Sequence, residues 1–227
     1  MPAVHLSGPQ NITFVHIPRT AGTSVGVWLM EHANQEGNTT AWFDHPTVSE
    51  IREICDVKFS FAVVRNPWAR ALSGYLFFSN IKELIERSEI GIVDARHTYL
   101  KYPDQKTVNL FKFILEGNAG YFKKPVSFEQ FLDDSHSLVL PKGSVTKELS
   151  AWIPQTYWID GGVDLVMKVE NLQDDFKVIQ EMFNTADPLP VLHTTAHDNY
   201  RKYYDDKHRK LIEKNFEEEI DLFKYTF

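Results

Sequence analysis

One cysteine, Cys55, is all the thiol in 227 residues. No intramolecular disulfide can form, and a reducing compartment is the natural setting. Basic residues are also scarce: 24 Lys and Arg stand against 31 Asp and Glu, for a formal charge of -7. General nucleic-acid binding wants a basic face, so this balance speaks against it. A strongly polyanionic substrate is likewise disfavoured unless a local basic groove compensates. No apolar run approaches the roughly 20 residues of a membrane span, and Met1 to Gln10 lacks the basic and apolar regions of a signal peptide. The expectation is a cytoplasmic protein without a membrane span. Repeats, low-complexity segments and an evident domain linker are absent too. What remains is ordinary in bulk, 43% hydrophobic and 24% charged, and long enough for one domain with helices on both faces of a sheet. We expect a single domain over 1–227, with an irregular helical insertion at about 81–150.

The most informative stretch lies near the start. Asn11 to Ile17 reads as a buried strand, with Ile12, Phe14, Val15 and Ile17 supplying apolar bulk. Pro18 stops it, because proline has no N–H for a central ladder. Thr20, Ala21, Gly22, Thr23 and Ser24 follow, and Val25, Trp28 and Leu29 then recur at helical spacing. A helix is therefore expected from near Gly22–Ser24 to about Asn34. A strand, a loop of small residues and a helix N-terminus make an anion site, since free N–H groups and the helix dipole point at the same place. Arg19 adds a fixed positive charge, and Thr20, Thr23 and Ser24 add hydroxyls. The nucleotide-binding pattern GxxxxGK[ST] is not met: its first glycine and its lysine are missing. An ordinary capped turn would use similar residues, and this stretch alone leaves both readings open.

Phe59 to Val64 is the second clear strand, nearly continuous in apolar character, as a parallel strand covered on both faces is. Arg65-Asn66-Pro67 ends it, and a helix follows with Trp68, Ala71, Leu72, Tyr75 and Leu76 inward. Arg65 thus stands at the carboxyl end of a strand, where open α/β sheets bind ligands, and Ser73 lies two turns along the helix. Arg65 reads as a helix-capping salt bridge or as a phosphate ligand. Its planar fork and the neighbouring anion loop favour phosphate.

The remainder carries weaker signals. A short helix over Val48 to Cys55 is expected, capped by Thr47 or Ser49, with His45 in the loop before it. Residues 81–106 form an excursion from the sheet that either lines an acceptor pocket or is peripheral. Thr107 to Glu116 and Ser127 to Asp133 read as short amphipathic helices. In the aromatic stretch Trp152 to Trp158, Gln155 and Tyr157 are candidates for substrate contact. Val163 to Val169 is a third strand, followed by a helix Leu172 to Phe183 capped by Glu170 and Asn171. His193 and His197 have i, i+4 spacing but no third ligand, which disfavours zinc. A charged helix, Asp205 to Glu219, and the aromatic tail Phe223 to Phe227 close the chain.

Two motifs together resemble a known family. Phe14-Val15-His16-Ile17-Pro18-Arg19-Thr20-Ala21-Gly22-Thr23-Ser24 is similar to the FVHIPKTGGTS loop of sulfotransferases, and Arg65-Asn66-Pro67-Trp68-Ala69-Arg70-Ala71-Leu72-Ser73-Gly74-Tyr75 resembles their RNPxxRxxSxY signature. The likeness is to the Golgi carbohydrate sulfotransferases and their soluble bacterial relatives. It extends through His45-Pro46-Thr47, Lys168-Val169-Glu170-Asn171-Leu172 and the closing Tyr203-Tyr204 and Asp221-Leu222-Phe223-Lys224-Tyr225, and is weakest over 81–150.

The resemblance implies a P-loop-like, three-layer α/β fold with a central, mostly parallel sheet flanked by helices. It implies 3′-phosphoadenosine 5′-phosphosulfate as donor, a hydroxylated acceptor and no metal. Arg19, Thr20, Ala21, Gly22, Thr23 and Ser24 would hold the 5′-phosphosulfate, and Arg65 and Ser73 the 3′-phosphate. Thr194 to Lys202 would close over the nucleotide, with Arg201 the candidate contact. His45 matches a family position where histidine is the base, with His16 a competing candidate inside a buried strand. One departure stands out: Arg19 replaces the family's lysine. Arginine keeps the charge but does not readily release a proton. Hence the alternatives of a weak or inactive nucleotide-binding homologue and, further off, a small-molecule kinase.

Overall fold

The structure is a computed structural model and describes residues 3–8, 11–33, 37–43, 46–76, 127–135, 153–192 and 197–227. The expectations on His45, on 81–106, on Thr107 to Glu116 and on His193 lie outside the described residues.

Among the described residues five strands form one sheet: β1 (Ala3–Ser7), β2 (Ile12–Val15), β3 (Thr39–Phe43), β4 (Phe59–Val64) and β5 (Leu165–Lys168), in the order β3-β1-β2-β4-β5. β2 pairs parallel with β4, and β4 with β5, while β1 runs antiparallel to both its neighbours. Four strands therefore point one way, and the expected mostly parallel central sheet is the one observed. β4 matches its expected span. β1 and β3 were not anticipated, for a local reason. β1 carries a histidine in its centre, and β3 begins within the polar stretch Gln35 to Thr40. His5 is tolerated because its Nδ1 meets Thr13 Oγ1 at 2.8 Å across the β1–β2 pair, both side chains being buried. Burial also lowers the His5 pKa, against the pull of Asp56.

Alternation along β4 divides the core. Phe61 and Val63 pack with Phe14 and with Val25, Trp28 and Leu29 of α1 (Gly22–Ala33). Ala62 and Val64 pack with Trp68 and Leu72 of α3, whose described part is 67–76, and with Ile212 and Phe216. Between α1 and α3 lies α2 (Val48–Arg52), shorter than expected. Thr47 and Glu50 form a reciprocal capping box at its start, which decides the cap in favour of Thr47. Further on come α4 (Phe128–Ser135), α5 (Gln155–Trp158), α6 (Leu172–Asp175), α7 (Lys177–Met182), α8 (Asp206–Asn215) and α9 (Glu217–Phe223).

The helix expected over Leu172 to Phe183 is broken at Phe176, and neither proposed cap serves it. Asn171 makes no side-chain cap and donates to Asp175 instead. The Glu170 carboxylate accepts from the Asn66 N–H at 2.7 Å and the Tyr225 hydroxyl at 3.2 Å.

From β2 the chain passes through α1, on one face, to β3 on the left of the sheet. From β4 it enters α3, on the other face, and eventually forms β5 on the right. The connections diverge between β2 and β4. In an open α/β sheet, the crevice outside the carboxyl ends at such a switch point is where ligands bind. Arg19 and Arg65 follow those two strand ends.

Candidate active site

The loop between β2 and α1 has a specific backbone. Arg19 and Ala21 lie at φ +70° and +62°, in the left-handed region, while Thr20 between them does not. This alternation turns successive N–H groups toward a common concavity. For residues with a Cβ the conformation costs about 1–2 kcal/mol each, so the surroundings must hold it. Thr20 Oγ1 donates to the Ile17 carbonyl at 2.8 Å, and Arg65 Nη1 donates to the Arg19 carbonyl at 3.4 Å. At Gly22 a Cβ would fall 1.9 Å from Cδ2 of the buried His16, whose ring stacks on Phe14. Only glycine fits there. Ser24 Oγ accepts the Leu192 N–H at 3.1 Å, which ties a distant segment to the start of α1.

Ala21 occupies a position where the similar loop motif has glycine, and its φ explains why glycine suits it. Ala21→Gly removes the strain but loosens the unfolded chain, a net gain of about 1 kcal/mol. The expected result is a Tm higher by about 2–4 °C, read by thermal unfolding. A lower Tm would mean that the loop holds Ala21 without strain.

The second segment begins where β4 ends. Asn66 Oδ1 accepts the Ala69 N–H at 3.2 Å, and Pro67 takes the first helical position, so Asn-Pro is a matched cap for α3. Arg65 is half-buried. Burial lowers its pKa, Glu170 and Tyr225 oppose that, and an arginine stays cationic regardless. Ser73 Oγ accepts from Arg19 Nη2 at 3.1 Å. The structure therefore brings Arg19, Arg65 and Ser73 into one cluster, although 46 to 54 residues separate Arg19 from the other two.

The family model described as the sulfotransferase family matches residues 4–226, nearly the whole chain. The chain belongs to the sulfotransferase family. No curated protein and no solved structure matches it. Membership makes the protein a sulfotransferase, and the family's donor is 3′-phosphoadenosine 5′-phosphosulfate.

In this sulfotransferase the residues present fit such a donor, which carries two separate anionic groups. The amide concavity of 19–22 suits one, and the Arg65–Ser73 end of the cluster suits the other. Arg201 is exposed on the 3₁₀ turn Tyr200–Tyr203. Its guanidinium lies 4.9 Å from the Tyr200 ring centroid and 5.8 Å from that of Phe227. Tyr200 in turn meets the Asn66 side chain, so the turn sits near the end of β4. Thr23 is half-buried in the first turn of α1. His45, the candidate base, lies outside the described residues. Among the described residues no group of three or more His, Cys, Asp or Glu side chains is placed to hold a metal ion, and no helix is long and apolar enough to cross a membrane.

Gln155 is not available to a substrate. It is fully buried, and its side-chain amide binds the Arg65 backbone on both sides: Oε1 accepts the N–H at 2.8 Å and Nε2 donates to the carbonyl at 2.8 Å. Two further residues near the site, Arg70 and Glu219, have no role assigned from the sequence, and Glu170 reads there only as a helix cap. Arg70 sits within the second motif but is wholly buried, and burial pushes its pKa down to about 10, with Glu219 opposing. Glu219 is fully buried, and burial raises its pKa while Arg70 and Gln155 counteract. Glu170 ties the strand end to Tyr225, whose own pKa burial raises further. A signal for Glu219 existed: Ile212, Phe216, Glu219 and Phe223 are spaced 4, 3 and 4 apart, so the glutamate lies on an apolar stripe.

Proposed function

We propose that this sulfotransferase moves a sulfuryl group in line from 3′-phosphoadenosine 5′-phosphosulfate to a hydroxyl of a sugar or small metabolite. The carbohydrate-type motifs and the charge of -7, which disfavours a polyanionic acceptor, support this. The observation that carries the reading is the Arg19 bridge, which joins the two motifs at a switch point. Arg19 to Ser24 bind the 5′-phosphosulfate, Arg65 and Ser73 the 3′-phosphate, and Arg201 covers the nucleotide. The donor supplies the sulfuryl group and an anionic leaving group. Loop amides and Arg19 hold the negative charge that builds on the leaving oxygen. Arg19 does so as a permanent cation, without giving up a proton. His45 accepts the acceptor's proton as a neutral imidazole.

The test is a transfer assay with labelled donor and a panel of sugars, small alcohols and a polyanionic polysaccharide. Transfer to a neutral member is expected. Adenosine 3′,5′-bisphosphate at about 100 times its Kd is expected to raise the Tm by about 5–10 °C. No shift would sink the nucleotide assignment. In the same assay His45→Ala is expected to lower turnover by about 10²- to 10⁴-fold with nucleotide affinity retained. The wild-type rate is expected to fall below about pH 6.5 as the imidazole protonates. A flat acid side would remove His45 as the base.

A further inference from the structure

We propose that Arg70, Gln155 and Glu219 form a buried positioning relay that keeps the two donor-binding segments in register. The inference rests on the reading of Arg19–Ser24 and Arg65 as the two halves of the nucleotide grip.

From α3, Arg70 reaches in two directions. Its Nε donates to the Pro18 carbonyl, immediately before Arg19, at 3.0 Å, and its Nη1 donates to the Ile153 carbonyl, also at 3.0 Å. Two residues past Ile153, the Gln155 amide pairs with both backbone groups of Arg65. The last ladder pair of β4 is Val64 with Lys168, so Gln155 takes the backbone groups that a neighbouring strand would otherwise satisfy. Glu219 of α9 anchors Gln155 through two bonds. Its Oε2 accepts the Gln155 backbone N–H, and its Oε1 accepts from Gln155 Nε2 at 2.9 Å. A continuous path thus runs from Pro18 through Arg70 and the 153–155 segment to Arg65.

All three side chains are 1% exposed or less. Burying a guanidinium and a carboxylate is costly, and apolar residues of similar size often serve stability as well or better. Apolar side chains cannot, however, fix the direction of a carbonyl or an amide. The peptide groups fixed here are the ones that aim Arg19 and Arg65, whose direct contact is the bond from Arg65 Nη1 to the Arg19 carbonyl. The nucleotide contacts assigned above fall to Arg19–Ser24, Arg65, Ser73 and Arg201, so the relay residues are positioning residues.

Glu219→Gln keeps the shape and removes one acceptor from Gln155. The measurement is the Kd for adenosine 3′,5′-bisphosphate and for its 3′-hydroxyl analogue, adenosine 5′-phosphate. The expected result is about tenfold weaker binding of the bisphosphate, with the analogue nearly unchanged, so that discrimination for the 3′-phosphate shrinks about tenfold. A residue that only stabilised the fold would lower the Tm and leave that ratio as it was. This outcome would overturn the relay. Arg70→Lys gives an independent arm. A lysine can reach one of the two carbonyls, so weaker binding of both nucleotides is expected, and unchanged affinities would count against the relay. Arg65→Ala separates the two levels of inference. If it abolishes discrimination while Glu219→Gln does not, the site assignment stands and the relay falls. If wild type shows no discrimination, both fall.

Discussion

Arg19→Ala is expected to lower kcat by about 10²- to 10³-fold, the scale of losing one preorganised group at a developing oxyanion. Alanine at 19 can keep the left-handed backbone at φ +70° at the strain arginine already bears, so the amide concavity and Gly22 remain in place. What disappears is the guanidinium, which reaches from the first loop to Ser73 at 3.1 Å. In the proposed role it meets charge that grows during transfer, so the loss should fall more on kcat than on the KM for donor. Arg19→Lys restores the residue of the similar motif, keeps a cation and is expected to stay within about tenfold of wild type. Steady-state rates with labelled donor decide the matter. An unchanged kcat in Arg19→Ala would assign leaving-group stabilisation to the loop amides alone.

The second large effect is on binding. Arg65→Ala is expected to weaken adenosine 3′,5′-bisphosphate by about 10- to 100-fold, the equivalent of about 1.5–3 kcal/mol for hydrogen bonds to a charged group. The 3′-hydroxyl analogue is expected to lose about threefold or less, because the backbone pairing of residue 65 with Gln155 does not involve the side chain. Some loss for both nucleotides is expected through the first loop, since the Arg19 carbonyl gives up its bond from Arg65 Nη1. Calorimetry or a thermal-shift titration with both ligands separates the two contributions. Equal losses would refute a 3′-phosphate role for Arg65.

The parts of the fold that were legible had local causes. β4 is read from an unbroken apolar run, and the loop after β2 from Pro18 followed by small and hydroxyl residues. The start of α1 follows from the recurrence of Val25, Trp28 and Leu29. Where the reading failed, packing overrode local preference. β1 keeps a central histidine because Thr13 on the neighbouring strand satisfies it. Glu170 and Asn171 look like caps before α6, yet Glu170 is drawn away to Asn66 and Tyr225. Gln155 looks available in an aromatic loop, yet it is sealed against β4 and α9.

By itself the sequence determined that two candidate anion-binding segments stand at the carboxyl ends of strands, and it pointed to the family that carries them. Strand and helix signals depend on neighbours a few residues away, so they survive without the rest of the chain. The tertiary structure decided that Arg19 reaches Ser73, that Gln155 completes the end of β4, and that Glu219 is buried while the adjacent Glu217 and Glu218 face solvent. Those contacts join residues 54, 90 and 64 positions apart. They form only once both faces of the sheet are covered, which is when an isolated buried amide or carboxylate must find a partner.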